Sequence, residues 1–289
     1  MIHPSTFSIV AFSADETAWG IAVASKFPAV GAVVPWARAG AGAVATQSYA
    51  NTAYGPDGLA LMAEGLTAQQ ALDRLVELDA DRALRQVGLV DANGGAATFT
   101  GDQCLDWAGG QTGPGYAVQG NILTGPEVVQ AMAEAYQGSS GALAERLLTA
   151  LLAGDRSGGD RRGRQSAALL VVKQGAGYGG HNDRWLDYRV DDHLDPVPRL
   201  QELLELHSLY FGQSPPDERL LLQGVELQTL KAILVEHGYY QGPVDGAYDA
   251  ATRQAMSAFL GNENFEERSD VEAGWIDRPV YEFLQRRFG

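Results

Sequence analysis

The chain has 289 residues, 45% hydrophobic and 20% charged, an ordinary globular composition long enough for more than one domain. Its formal net charge of -15 repels phosphate backbones and anionic lipid, so neither nucleic acid nor membrane is an expected partner. The lone Cys104 excludes an internal disulfide. No apolar run approaches transmembrane length, and Met1-Ile2-His3-Pro4-Ser5 lacks the basic and apolar regions of a secretory signal, which makes the cytoplasm the expected location.

In chain order, Thr6 to Ala11 and Trp19 to Lys26 are apolar runs of strand length joined by Ser13-Ala14-Asp15-Glu16-Thr17. They predict an N-terminal β-hairpin. Ala29 to Ala37 and Gly40 to Gln47, rich in small and β-branched residues, predict a second pair of buried strands. Helices are expected over Leu59–Glu64 and Thr67–Leu78. In the second, Thr67 is the N-cap, and Ala71, Leu72, Leu75, Val76 and Leu78 form the apolar face. Gln86–Asp91 and Ala96–Thr100 flank Asn93-Gly94-Gly95 and read as another hairpin.

A glycine-rich segment from Gly109 to Gly125 leads into helices near Pro126–Tyr136 and Ala142–Ala153. A loop from Gly154 to Gln165 and a strand over Ser166–Lys173 follow, then an edge strand at Leu186–Val190 and a helix from Pro196 to Tyr210. Strand pairs alternating with helix pairs predict an α+β fold, a four-layer α-β-β-α sandwich. Its sheets should be antiparallel, because hairpins connect the strands. Composition changes at Gly212-Gln213-Ser214-Pro215-Pro216. The expected organisation is therefore a first domain over residues 1–211, a linker over 212–217 and a small all-α domain over 218–289.

In that last segment Gly238-Tyr239-Tyr240-Gln241-Gly242-Pro243-Val244-Asp245-Gly246-Ala247-Tyr248 precedes Thr252, Ala255 and Phe259 at helical spacing. The pattern resembles the peptidoglycan-binding-like module, a three-helix fold, over most of residues 218–288. Gly242 and Gly246 suit tight turns, Asp245 suits an Asx turn, and Ala255 with Phe259 suits a buried helix face. The resemblance implies peptidoglycan fragments as a partner.

The N-terminal segments Thr6-Phe7-Ser8-Ile9-Val10-Ala11, Val23-Ala24-Ser25-Lys26-Phe27, Ala29 to Ala37, Ala43-Val44-Ala45-Thr46-Gln47, Gln119-Gly120-Asn121 and Gly158 to Ser166 resemble the domain of unknown function 1028 family. That family is grouped with the N-terminal-nucleophile (Ntn) hydrolases, and the match runs from about Thr6 to Tyr210. The resemblance implies Thr6 at the head of the first strand as nucleophile, with its own α-amine as base because an ordinary hydroxyl is a weak nucleophile. Lys26 would assist, and Asn121 or Gln119 would stabilise an oxyanion. Thr6 has five residues before it, so its nitrogen lies in a peptide bond; bulky Ile2 disfavours simple methionine removal. Either a later cleavage exposes Thr6, or the catalytic mechanism is not the Ntn one, or the fold only binds.

Arg156, Arg161, Arg162 and Arg164 crowd one glycine-rich loop of an acidic chain. They suit an anionic substrate group, with Asp160 and Arg162 facing the pocket; ion pairing with Asp155 and Asp160, or a subunit contact, is the alternative. Gln47, Asn51 and Tyr54 follow a buried strand and suit a cleft lining. Cys104 reads as a small core residue, and His181, Asn182, Asp183 and His193 lack metal spacing. Gly109–Gly125 lacks the lysine of a phosphate loop.

The expected function is hydrolysis of an amide bond in a small or peptidic substrate, with catalytic Thr6, Lys26 and Asn121. Gln47, Gln119, Asp160, Arg162 and Arg164 would bind the substrate, with no metal and no cofactor. The alternative is a noncatalytic ligand-binding or assembly protein, and in either case a homo-oligomer.

Overall fold

In the computed structural model, residues 6–289 are described, and the chain divides into two compact units at Leu203 and Leu204. The opening hairpin is β1 (Thr6–Ser13) and β2 (Ala18–Ser25), paired antiparallel in continuous register from Thr6 opposite Ser25 to Ser13 opposite Ala18. The apolar run that follows departs from expectation. Residues 30–32 form a 3₁₀ turn, because Ala29 adopts φ +52° and the amides of Ala32, Val33 and Val34 bond back to Ala29 and Val30. Only β3 (Pro35–Arg38) and β4 (Gly42–Ser48) are strands there.

Next come α1 (Tyr54–Ala63) and α2 (Ala68–Leu78). The Thr67 cap is present as a full capping box: Gln70 N–H donates to Thr67 Oγ1, and Thr67 N–H donates to Gln70 Oε1. Ala71, Leu72 and Leu75 are buried, whereas Leu78, assigned to the same face, is 84% exposed at the helix end. In the expected hairpin β5 (Arg85–Asp91) and β6 (Ala96–Thr100), Asp91 accepts the amides of Asn93 and Gly95 and also that of Ala68. One carboxylate thereby ties the turn to the start of α2.

The glycine-rich segment is largely strand. It forms β7 (Gly109–Gly113) and β8 (Tyr116–Asn121), and β8 pairs directly with β1. The unit continues with α3 (Glu127–Gly138), α4 (Leu143–Arg156), β9 (Ser166–Lys173) and β10 (Arg184–Val190), and α5 (Pro196–Phe211) crosses the division between the units. Two antiparallel sheets result: six strands in the order β10-β9-β2-β1-β8-β7, and four in the order β3-β4-β5-β6.

Side-chain alternation then decides the packing. Val10, Ile21, Val23, Ala168 and Leu170 from the large sheet meet Ala43, Ala45 and Val90 from the small one. The outer face of the small sheet takes α1 and α2 through Val44, Leu72, Leu75 and Leu89. Helix α4 lies on β1 and β2, and Glu16 of the β1–β2 turn accepts the Leu143 amide at the start of α4. At about 25 cal/mol per Å² of apolar surface, each wholly buried leucine or valine contributes roughly 2 kcal/mol.

The second unit holds α6 (Gly224–Glu236), α7 (Ala250–Asn262) and α8 (Arg278–Phe288). Three very short strands, β11 (Arg219–Leu221), β12 (Ser269–Asp270) and β13 (Trp275–Asp277), complete it. Ala255 and Phe259 share its core with Leu227, Leu230 and Leu284. Asp245 makes the expected Asx turn to Ala247 N–H and also takes Lys231 Nζ at 2.7 Å, although Lys231 is wholly buried. Burial pushes the Lys231 ammonium down, but Asp245 and Tyr240 outweigh it and the net shift is upward. Gly242 is explained by the Tyr240 ring, which a Cβ would strike. Gly246 has open space around it and no left-handed backbone, so the expected turn does not need it to be glycine. No helix of the described residues is long and apolar enough to cross a membrane.

Candidate functional site

One end of the space between the two sheets is polar. The register lines up Ser166, Ser25, Thr6 and Asn121 across β9, β2, β1 and β8, all buried, with Thr6 Oγ1 3.2 Å from Ser25 Oγ. Two residues inward, Ser8 and Gln119 pair across β1 and β8 on the same face. The facing sheet contributes Gln47 from β4 and Gln86 from β5, themselves opposite each other.

The resulting layer is wired tightly. Ser8 Oγ donates to Gln47 Oε1 at 2.6 Å, and Gln119 Nε2 donates to Ser8 Oγ at 2.7 Å. Gln47 Nε2 reaches Gln86 Oε1 at 2.8 Å and the Thr6 carbonyl at 3.2 Å. Gln86 Oε1 also accepts from Asn121 Nδ2 at 3.0 Å, while Gln86 Nε2 donates to Gly120 O at 2.7 Å and Thr100 Oγ1 at 2.9 Å. Room for Gln119 comes from Gly88 of β5, where an added Cβ would lie 2.0 Å from Gln119 Oε1. Networks of this kind rigidify a core when their members are paired.

This placement corrects two expected substrate contacts. Gln47 and Gln119 are 1% and 0% exposed and spend their amides inside the layer, so they position β1 and touch no cleft. It also changes the neighbour of Thr6. Adjacent strand residues point to opposite faces, so Ser25 sits beside Thr6 and Lys26 does not. Lys26 is exposed; its Nζ donates to Arg164 O at 3.1 Å, and its backbone N–H donates to Asp160 Oδ2 at 2.6 Å.

Beside Ser25 opens a pocket of about 610 Å³. The loop after α4 walls it, and that loop is held in shape. The Thr124 amide bonds Gly159 O, the Arg161 amide bonds Ile122 O, and Gly158 takes φ +111° where a Cβ would lie 2.3 Å from Thr124 Oγ1. Asp160 is a buried hub that accepts the Lys26 and Arg162 amides and the Arg162 guanidinium at 3.2 and 3.1 Å.

Arg162 is therefore turned onto Asp160 and does not line the pocket. Arg164 lines it but is bridged to Asp155 and Asp195, each at 2.8 Å. Arg156 and Arg161, also in the lining, are exposed and form no ion pair or side-chain hydrogen bond among the described residues. Which arginine meets which aspartate is a matter of tertiary geometry. A count of charges along the loop cannot supply it.

Asn51 and Tyr54, expected in a cleft, instead donate to Asp79 Oδ2 at 3.1 and 3.0 Å, where Arg85 Nε also donates at 2.8 Å. Arg85 holds the Asp79 carboxyl well below the usual range. Burial, then Asp79, pushes the Tyr54 hydroxyl up. Cys104 is half-buried with its thiol on Arg85 O, and burial raises its pKa. In the second unit, Arg268 and Asp277 pair at 2.6 Å, both buried, and Arg268 also binds the Ser208 and Leu209 carbonyls and Ser214 Oγ. Among the described residues no three His, Cys, Asp or Glu side chains converge as a metal site.

The comparisons agree with this division. The model described as "Family of unknown function (DUF1028)" matches residues 6–200, and that described as "Putative peptidoglycan binding domain" matches residues 210–284. A protein from Silicibacter pomeroyi that carries the first family model has a crystal structure similar to this chain. It is 30% identical, with a TM-score of 0.64, over 71% of this chain and 89% of that one. No curated protein matches. On the family model and this relative together, the chain belongs to the DUF1028 family, with a peptidoglycan-binding domain at its C-terminal end.

Proposed function

We propose that the first unit is an Ntn-type amidohydrolase built as an α-β-β-α sandwich, with Thr6 as nucleophile once the chain is cut before it. The supporting observation is the row Ser25, Thr6 and Asn121 at one sheet end, whose Ser25 member lines the pocket. The free α-amine of Thr6 takes the Oγ1 proton as Oγ1 adds to the amide carbonyl, and the π pair moves onto oxygen. Asn121 stabilises that oxyanion. Collapse breaks the C–N bond, and the ammonium passes its proton to the departing amine. Water, deprotonated by the same amine, then hydrolyses the Thr6 ester to a carboxylic acid. Ser25 Oγ, 3.2 Å from Thr6 Oγ1, relays the proton; Lys26 contributes charge at the rim only.

The described C-terminal domain makes peptides derived from peptidoglycan the preferred substrate source. A second reading has its own observation. Thr6 is 1% exposed and its nitrogen is bonded to Ser5 in this sequence, which suits a noncatalytic ligand-binding domain. The intact mass and N-terminal sequence of protein purified from its native host separate the two. A chain starting at Thr6, whose amide hydrolysis is lost in Thr6→Ala, supports the hydrolase. Folded protein retaining Met1–Ser5 overturns it in favour of binding.

A further inference from the structure

We infer that the pocket beside Ser25 is a receptor for a small carboxylate with an apolar body, held by Arg156 and Arg161. Four guanidiniums stand at the end of α4 and in the loop after it, and the two that are neutralised are neutralised at short range: Arg162 on Asp160, and Arg164 on Asp155 and Asp195. Arg156 and Arg161 are in no such pair, and both line the cavity. A guanidinium offers a rigid fork of donors that matches a carboxylate in bidentate fashion.

Part of the lining is apolar: Leu194, 87% exposed, with Pro196, Phe7 and Ala24. An exposed leucine gains nothing from water but buries surface against an apolar ligand group. The volume of about 610 Å³ fits a molecule of dipeptide size. The loop is also ordered in advance, through the Gly159 and Ile122 carbonyls and the Asp160 hub, so binding carries little ordering cost. Two free guanidiniums and apolar side chains in one lining select an acylated amino acid or short peptide through its free carboxylate. Ser25, on the pocket wall, directs the rest of that molecule toward Thr6.

As a statement about substrate, this rests on the hydrolase reading; as a statement about binding, it is tested without turnover. Titration calorimetry on the full-length chain at low ionic strength would use N-acetyl-L-leucine, its uncharged analogue N-acetyl-L-leucinamide, acetate and inorganic phosphate. The expected result is that N-acetyl-L-leucine binds at least about tenfold more tightly than the amide. Arg156→Gln and Arg161→Gln should each weaken it by about tenfold. Leu194→Ser should weaken N-acetyl-L-leucine while leaving acetate unchanged. Equal binding of the amide, or full binding by the double arginine variant, would overturn the assignment. Phosphate binding as tightly as N-acetyl-L-leucine, insensitive to Leu194→Ser, overturns it too, in favour of a simple oxyanion site. Thr6→Ala is expected to bind normally, so a parent chain that stays uncleaved and inactive yet still binds N-acetyl-L-leucine removes the hydrolase and leaves the receptor standing.

Discussion

Two polar regions meet near Thr6, and they are built on opposite principles. Between the sheets, Ser8, Gln47, Gln86 and Gln119 are almost wholly buried and bonded to one another. At the end of α4 and in the loop after it, the side chains of Arg156 and Arg161 are exposed and paired with nothing among the described residues. The closed layer spends its polar groups on geometry, fixing where the head of β1 lies. The open loop keeps two charges in reserve. Between them, Asp160 and Arg162 form a hinge of intermediate character, one buried and one partly exposed. The lesson is that residue type alone does not separate scaffold from binding surface; the state of each group's hydrogen bonds does.

The largest expected effect breaks the closed layer. Gln86→Leu removes the acceptor shared by Gln47 and Asn121 and the donor to Gly120 O and Thr100. Several buried groups lose partners at once, and the expected loss is about 4 kcal/mol. Hydrogen exchange at the β1 and β8 amides reads it locally, which matters because two units do not unfold as one transition. Unchanged protection would mean that the layer is not what holds β1.

Asp160→Ala tests the hinge. It removes the acceptor of the Lys26 and Arg162 amides and the carboxylate bonded to the Arg162 guanidinium, with an expected cost of about 3 kcal/mol. The loop should loosen with it, so protease cleavage between Gly158 and Arg164 should accelerate; resistance equal to that of the parent chain would argue against Asp160 as hub.

A third test uses acid. Asp79 is another closed site, its carboxyl depressed chiefly by Arg85 and then by Asn51 and Tyr54 hydrogen bonds. A depressed folded pKa adds stability above the unfolded value near about 4, and that stability is lost as pH falls toward the folded value. Asp79→Asn should therefore cost about 2 kcal/mol at neutral pH and flatten the decline in melting temperature below about pH 4. Parallel acid limbs for the two proteins would remove Asp79 from the account.

What could be read in advance follows the range of the forces. The β1–β2 and β5–β6 hairpins and the Thr67 N-cap depend on residues a few positions apart, and all three are visible in the chain. Strands β7 and β8 are hidden because glycine and glutamine carry little strand preference; only pairing with β1 makes them strands. Thr6 and Asn121 could be singled out, but the choice of Ser25 over Lys26 as Thr6's neighbour required the register. The arginine loop could be flagged as a cluster. Assigning Arg162 to Asp160, and leaving Arg156 and Arg161 over, required the fold.

The smallest expected effect is the sharpest test of the contrast. If Arg156 and Arg161 are held in reserve for a ligand, deleting their charge takes nothing from the folded chain alone. Arg156→Gln and Arg161→Gln should then shift stability by no more than about 0.5 kcal/mol, as exposed sites without partners do. Thermal melts of these two variants and of the double variant, with Asp160→Ala alongside as a loop substitution that must destabilise, make a null result informative. A loss of several kcal/mol in either arginine variant would show that these side chains support the loop, and the distinction between its open and closed halves would dissolve. Stability held constant while carboxylate binding falls is the pattern of a receptor, and it is the one this arrangement of charges requires.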